Sequence, residues 1–538
     1  MRWIQRMTGM LGPYTRYVAD SAAAVWPRLA ADRVFWLLVA IFTALYLPHA
    51  FVVIEDVGLI SGYESDPGSH VHAIEDLLRS YNMHEGYHSK FYGWTFFAIN
   101  FFLLQPIHLF GLIAGSESKF ALYFGIRLIL FIIGLGSMAA FYVLLRRLFA
   151  GVFLPFVGVM LYITSPACYT FFYTIHPEST GLLFLLLGVL ALLGFMAKPS
   201  DHRAYIVGLA ALVLAALSKQ IYFFTALPVL FLFFHYYCVS TNMTYRARIL
   251  TREFRRIFCS TAALAFGILF FIHPFAILQP DQFIKYQQVL GGFVVGEYAQ
   301  SFDKTLPQWM AVFRGLPLLM LSALLVPCAV LVALRRYAAR REAAALLVLV
   351  NGLGVAAILA LVVVLNRLFI TPGYLQPIYP FLIINLLAVV AFAGTLRARW
   401  LRASARVAFA YLAILSLGWN LYTMVPRLID RLEYKDSVAY MSYDYIQKTL
   451  TKDDKLAFDH FVAAPSGLKE RGCHYWTGCG TDHIEEFAPN YVMFNEQYEV
   501  NGKPFKETQR LAQYVREHHL HRVAQFTANG FTVSVFRK

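Results

Sequence analysis

The residues best suited to chemistry in this sequence are the few polar ones that interrupt long apolar runs. The densest group lies in Tyr63–Trp94, where Glu64, Asp66, His70, His88 and Lys90 follow a strongly apolar stretch. Carboxylates can hold or take a proton, imidazoles can shuttle one or ligate a metal, and an ammonium can grip a phosphate as a compact cation. Two further positions stand at the edges of apolar runs. Glu178 closes the tripeptide His176-Pro177-Glu178, and Lys219 separates LAALVLAAL from IYFFTALPVLFLFF. An ionisable residue beside a membrane-length apolar segment is a functional hypothesis by default.

Each position also has a purely structural use. Asp66-Pro67 suits a helix start, with Asp at the N-cap and Pro at the first helical position. The helix then expected over 67–80 sets Ala73, Leu77 and Leu78 on one face, with His70 and Glu75 off it, toward the polar side. Glu178 in the first turn of a span is favoured by the helix dipole, and Lys219 can snorkel to the interface. Asp66, Glu64 and the nearby histidines could compose a metal site. However, His70 and His72, two apart on a helix, do not face one another. A divalent metal held by residues such as Asp66 and His88 therefore stays open. The sequence has no Gly-rich phosphate loop, no Walker sequence and no G-x-S-x-G elbow, so ATP-driven and serine-hydrolase chemistry find no support.

The elements that must position these residues are membrane helices. Of 538 residues, 59% are hydrophobic and only 14% charged, with a mean hydropathy of +0.55. Soluble proteins carry roughly 25% charged residues. Apolar runs of about 20 residues, enough to cross a hydrocarbon core, recur from Phe35 to about Met424. The net charge of +14 comes from Arg and Lys clustered between the runs, as at Arg146-Arg147, Arg246 to Arg256, Arg335 to Arg341 and Arg397 to Arg406. That is the positive-inside pattern, which orients membrane proteins and excludes a nucleic-acid reading.

With the arginine clusters inside, the spans fall at about 35–54, 119–145, 150–171, 179–197, 204–218, 221–240, 258–278, 310–334, 343–365, 374–395 and 406–425. Segment 92–114 reads as a helix lying in the outer interface, since counting it as a span would place Arg146 and Arg147 outside. About eleven spans put the loop 55–92, the turns at Glu178 and Lys219, and the C-terminus on the outer face. The fold class is thus mostly α. A transmembrane domain over 1–430 carries a small α/β domain over 431–538 on its outer side. In that tail, helical patterning at 434–450 and 504–519 alternates with β-prone runs at Lys455–Phe461, Tyr491–Phe494, Arg522–Phe526 and Phe531–Phe536. Cys473 and Cys479 bracket the polar loop CHYWTGC. They suit a small disulfide in an oxidising compartment, with unpaired thiols or a metal site with His474 and His483 as alternatives.

On these residues the chain resembles the GT-C superfamily of membrane glycosyltransferases, which take sugars from lipid phosphates. It is most like the bacterial lipid A aminoarabinose transferases and the protein O-mannosyltransferases. Asp66, His70, Ala73, Leu77 and Leu78 match the family's acidic motif after the first span, with Pro67 in place of the usual partner acid. His88-Ser89-Lys90-Phe91-Tyr92-Gly93-Trp94 resembles the donor-side juxtamembrane segment, and Glu178 matches a second acidic position. Gly208 to Pro228 is similar to the family's stretch ending in Thr-Lys-Pro or Thr-Lys-Gly and supplies Lys219. Tyr374 to Pro380 resembles its Arg-Tyr…Pro segment, where Gly373 replaces the Arg and Arg367 stands in. Ala488 to Val492 looks like the family's tail strand.

The resemblance implies a multi-pass protein of the bacterial inner membrane that moves a monosaccharide from a polyprenyl-phosphate donor to an extracytoplasmic acceptor, with inversion. Asp66 would be the general base and Glu178 a second catalytic acid. Lys219, Lys90, Arg367 and Tyr374 would hold the donor phosphate, with Glu64, His70, His88 and His176 lining the substrate pocket. Two rivals remain: a non-catalytic partner on the same scaffold, which Pro67 at the second acidic position keeps open, and a lipid or sugar transporter, which would place charges inside the spans.

Overall fold

A run of about 20 apolar residues has one low-energy form in a bilayer, the helix, because every backbone N–H and C=O is then satisfied within the run. The computed structural model describes residues 2–64, 66–80, 93–113, 119–272, 317–340, 375–395, 398–459, 462–465, 472–474, 484–496, 499–500, 503–504, 506–528 and 530–538, with isolated residues between 280 and 352 and at 468. Within these, some side chains, those of 61–69 among them, are not described.

Among the described residues six helices are long and apolar enough to span: Arg33–Phe51, Trp94–Ile113, Lys119–Leu148, Glu178–Ala197, Phe223–Ser240 and Arg399–Leu432. Phe153–Thr164, His202–Ser218 and Tyr379–Ala393 are apolar but shorter. The chain is a polytopic, mostly helical membrane protein with a small C-terminal sheet. The segment expected in the interface, 92–114, forms one helix, Trp94–Ile113, whose length and apolarity also meet those of a span. Helices Arg252–Ile272 and Pro317–Arg340 overlap two more expected spans, whereas most of 343–365 lies outside the described residues. The span expected at 150–171 ends early: its helix stops at Thr164, before Ser165-Pro166, and a 3-10 turn follows at Tyr169–Phe172.

The chain divides into two units. The first comprises Met1–Leu47, Asn82–Phe102 and Ile129–Pro426, and the second Pro48–Tyr81, Leu103–Leu128 and Arg427–Lys538.

In the first unit, Glu178–Ala197 and His202–Ser218 form a tight helical hairpin. A Cβ on Gly188 would lie 2.8 Å from the Leu212 side chain, and one on Gly208 would lie 2.8 Å from that of Leu192. Glycine at both positions lets the two backbones approach, as small residues do between membrane helices. Asp32 caps helix Arg33–Tyr46 by accepting the Val34 N–H at 3.0 Å. Its other oxygen accepts from the Tyr142 hydroxyl at 2.7 Å and from Arg146 at 3.2 Å. The Tyr46 hydroxyl, fully buried among Phe42 and Phe172, donates to the Ile163 carbonyl. A polar tip on an apolar body needs such a partner when buried.

The second unit is built on a five-stranded sheet with the order β2-β1-β3-β7-β6. Its strands are β1 (Leu456–Phe458), β2 (Gly472–His474), β3 (Tyr491–Asn495), β6 (His521–Ala528) and β7 (Phe531–Arg537); β4 (Glu499–Val500) and β5 (Lys503–Pro504) form a separate two-stranded ribbon. β1 is parallel to β2 and β3, and β7 is antiparallel to β3 and β6. Alternate residues serve opposite faces. Tyr491 and Met493 pack with Val438 and Ile446 of helix Val438–Thr449, while Val492 and Phe494 pack with Leu511 and Tyr514 of helix Lys506–Glu517. The expected strands at 491–494, 522–526 and 531–536 are present, each slightly longer. The run expected at Lys455–Phe461 forms only Leu456–Phe458. Asp459 leaves the ladder, and its carboxylate accepts the Asn495 N–H at 2.7 Å.

The elements that were not expected include helix Arg2–Ala30, which is amphipathic rather than uniformly apolar, and β2, three residues held by parallel pairing to β1.

Candidate functional site

Pro177 occupies the N-cap position of helix Glu178–Ala197 with helical backbone angles, so the chain enters the helix directly after His176. Proline at a helix start sacrifices no backbone hydrogen bond, because the first N–H groups have no intrahelical partner. Glu178 is therefore held in the first turn, where the dipole favours an anion. It is only 3% exposed. A carboxylate that deep must be paired or give up its charge.

Its partners come from two directions. His176 Nδ1 meets one carboxylate oxygen and the Lys219 ammonium meets the other. Lys219 reaches Glu178 because helix His202–Ser218 ends just before it. The Lys219 backbone is extended (φ −156°, ψ 134°), and the chain then enters the 3-10 turn Gln220–Tyr222. A third element closes the cluster. The fully buried Tyr222 hydroxyl lies 2.7 Å from the Glu178 carbonyl and 3.0 Å from Gln376 Oε1. Gln376, also fully buried, sits just before helix Tyr379–Ala393. A Cβ at residue 181 would fall 2.5 Å from the Tyr222 ring, so Gly181 is what lets the ring cross the first turn of the helix. The Ser179 hydroxyl donates to the Phe171 carbonyl, tying down the approach to the helix.

The structure thus brings together His176, Glu178 and Lys219 and adds Tyr222 and Gln376, which the sequence reading did not single out. The available signals were slight. Gln376 lies inside the Tyr374–Pro380 segment, and Tyr222 is an aromatic three residues after Lys219. The cluster places one buried anion between two groups able to carry positive charge, at the mouths of two apolar helices. It can hold or exchange an anionic group at a membrane boundary.

Asp66 belongs to the second unit and is the first residue of helix Asp66–Ser80; its side chain, like that of Glu64 at the end of helix Val57–Glu64, is not among those described. The helix corrects one expectation. His70 and Glu75 are not on a polar side: His70 is fully buried and Glu75 is 7% exposed, alongside Val71, Ile74, Leu77 and Leu78. The helix is covered nearly all round because helix Val57–Glu64 and Tyr123 also pack on it. The Glu75 carboxylate accepts from the Tyr123 hydroxyl at 3.0 Å and pairs with His72 at 3.4 Å. Just upstream, Glu55 accepts from the Ile54 N–H at 3.0 Å and from the Tyr434 hydroxyl, and Asp56 accepts from the Gly58 N–H at 2.6 Å. These acids brace the base of the loop.

Burial opposes ionisation of Glu75. Its hydrogen bonds with His72 and Tyr123, and the nearby His72 and Arg79 charges, outweigh that and hold its carboxyl below the ordinary value of 4.5. A carboxyl with a lowered folded value contributes stability that is complete above its unfolded value and disappears as pH falls through the folded one. Wild type is therefore expected to melt above Glu75→Gln at about pH 6, with the gap closing below about pH 4. Thermal melts of both proteins across that range measure it; a gap independent of pH would show that Glu75 acts through shape alone.

The remaining expected site residues, Lys90, His88, Arg367 and Tyr374, lie outside the described residues, as does Cys479, so the Cys473–Cys479 pairing falls outside them too. Cys473 itself lies on β2, opposite Ala457. No group of three or more His, Cys, Asp or Glu able to hold a metal occurs among the described residues. The divalent-metal expectation rested on Asp66 and His88, whose side chains are not described.

No family model and no curated protein matches the chain. Among solved structures, ArnT from Cupriavidus metallidurans bound to undecaprenyl phosphate is 14% identical, with a TM-score of 0.49 over 94% of this chain and 98% of that one. An Archaeoglobus fulgidus oligosaccharyltransferase in complex with Zn and sulfate is 12% identical, with a TM-score of 0.46 over 93% and 72%. AglB of the same organism, in complex with an inhibitory peptide and a dolichol-phosphate, is 12% identical, with a TM-score of 0.40 over 86% and 69%. Likenesses this distant assign no residue a role.

Proposed function

We propose that the protein is a membrane glycosyltransferase that moves a monosaccharide from a polyprenyl-phosphate lipid to an extracytoplasmic acceptor. The observation that carries this reading is the buried His176–Glu178–Lys219 cluster at the mouths of two apolar helices. Desolvated charges at that depth carry a steep solvation cost, and handling a lipid-borne phosphate is the use that best matches both place and chemistry. The order of motifs from Asp66 through Glu178 and Lys219 to Tyr374 supports it, as does the absence of any nucleotide-binding motif from the sequence. A lipid-linked donor stores its energy in the sugar–phosphate bond and needs no nucleotide.

In this reaction Asp66 takes the proton of the acceptor hydroxyl. The acceptor oxygen attacks the anomeric carbon from the face opposite the phosphate, the bond from that carbon to the phosphate oxygen breaks, and the lipid phosphate leaves with the electron pair. Lys219, with Lys90 and Arg367, offsets the negative charge that grows on the leaving phosphate. An aspartate near its ordinary pKa is a weak base, so orientation of the hydroxyl supplies much of its effect. The protein sits in the bacterial inner membrane, with the arginine clusters inside and residues 431–538 forming a domain on the outer side. A single cysteine placed at Ser69 is expected to be labelled by an impermeant reagent in intact spheroplasts; labelling only after lysis would invert this topology.

Deletion of the gene is expected to make one polyprenyl-phosphate-linked sugar accumulate, and the purified protein should release free polyprenyl phosphate from that lipid when acceptor is supplied. Accumulation without release in the purified system would favour a non-catalytic partner. A lipid that moves between leaflets but is not consumed would favour a transporter.

A further inference from the structure

We propose that a cavity at the arginine-rich ends of helices His202–Ser218 and Arg252–Ile272, in the first unit, is a binding site for a phosphate-bearing anion, separate from the Glu178 cluster. The cavity has a volume of about 940 Å³. That suits a polar headgroup better than a bare ion. Tyr14, Ile206 and Ile257 give it an apolar side, and charged groups with Ser200 and Ser260 occupy the rest.

The charges are sorted in a way that leaves net positive potential in the cavity. Both lining carboxylates are already satisfied by the protein. Asp201 caps helix His202–Ser218 and is gripped by Arg203 through two bonds of 2.9 and 3.1 Å. Glu253 is held by His202 Nε2 at 2.6 Å and by Arg248 at 3.0 Å. Arg248 is itself 4% exposed, with its guanidinium 3.6 Å from the centre of the Tyr237 ring. The pairing is thus anchored on a buried guanidinium, while the Glu253 carboxylate itself stays about half exposed. Lys198, Arg252 and Arg256 also line the cavity, and none of them forms an ion pair with any described residue.

Three cations outside those ion pairs around one opening suit a phosphate-bearing anion, and guanidinium forks match phosphate oxygens in geometry. Positive-inside bias alone requires cations near these helix ends. It does not require a cavity, nor that the neighbouring acids be pre-paired. Two sources share this chemistry: the headgroup of an anionic phospholipid, for which basic pockets between membrane helices are suited, and a soluble phosphate compound.

The test uses the full-length protein purified in a neutral detergent, with thermal stability read during titration with phosphatidylglycerol, phosphatidylcholine or inorganic pyrophosphate. A saturable rise with phosphatidylglycerol, absent with phosphatidylcholine, is expected. A rise with phosphatidylglycerol alone identifies a lipid headgroup, and a comparable rise with pyrophosphate identifies the phosphate group as sufficient. Removing all three cations (Lys198→Gln, Arg252→Gln, Arg256→Gln) is expected to weaken the midpoint on the order of 100-fold, at about one surface-charge increment per residue. Arg256→Gln alone should weaken it about fivefold and guards against misfolding of the triple variant. A matched triple variant at another arginine-rich helix start (Arg399→Gln, Arg402→Gln, Arg406→Gln) should bind as wild type does. Equal losses in both triple variants, or no saturable response in wild type, would overturn the site.

Discussion

Asp66→Asn is expected to abolish sugar transfer while leaving the protein inserted and folded. Asparagine has the same shape and is as good a residue at a helix start as aspartate, so helix Asp66–Ser80 has no reason to lose its place. What the substitution removes is the capacity to accept a proton and to hold a hydroxyl by a charge-assisted hydrogen bond. General-base assistance contributes typically about 10²–10⁴-fold, so residual transfer should fall to about one per cent or less. The rate of polyprenyl-phosphate release from the accumulated donor, set beside circular dichroism and elution volume for both proteins, measures it. A wild-type rate in the variant would remove Asp66 from the mechanism and leave the buried cluster of the first unit as the place to look.

Lys219→Met is expected to give the largest loss of stability among conservative changes at the site. Glu178 is buried on the side-chain scale to within 4%, whereas Lys219 remains 21% exposed. Removing the lysine strands a carboxylate that cannot reach water. Breaking a buried pair from one side costs about 3–5 kcal/mol, and the low end applies because His176 stays in place. Glu178→Gln is expected to cost less, since the freed ammonium is already partly hydrated and can move outward. The double variant, Glu178→Gln with Lys219→Met, should recover most of the stability lost by Lys219→Met. A neutral pair of similar volume leaves no stranded charge. Thermal unfolding of the four proteins in one detergent completes the cycle; additive losses would show that the two residues do not act as a pair. If the recovered double variant still fails to transfer sugar, the cluster serves the reaction and not only the fold.

Much of the architecture is local and was legible for that reason. An apolar run of membrane length must be helical wherever it lies, so Glu178–Ala197 and Phe223–Ser240 could be read without knowing their neighbours. The same holds for the tail strands Tyr491–Asn495 and Phe531–Arg537. Their alternate residues divide between two apolar clusters, and period-two patterning records that division directly. Helix Arg2–Ala30 is not legible in the same way, because an amphipathic helix has no uniformly apolar run. β2 escaped because three residues carry no pattern; only parallel pairing to β1 makes them a strand.

The site divides along the same line. The sequence by itself marked Glu178 and Lys219 as charges beside apolar segments and Asp66 as a helix start, since each depends only on its immediate neighbours. Only the tertiary structure decided that Glu178 and Lys219, 41 residues apart, form one ion pair, and that Tyr222 and Gln376 close the cluster from a further element. It likewise decided that His70 and Glu75 are buried, because helix Val57–Glu64 and Tyr123, 48 residues beyond Glu75, cover the face that helical spacing had left polar. A residue's period fixes which side of its own helix it occupies. What covers that side, and so whether a charge there is solvated or must find a partner, depends on contacts that no local pattern encodes.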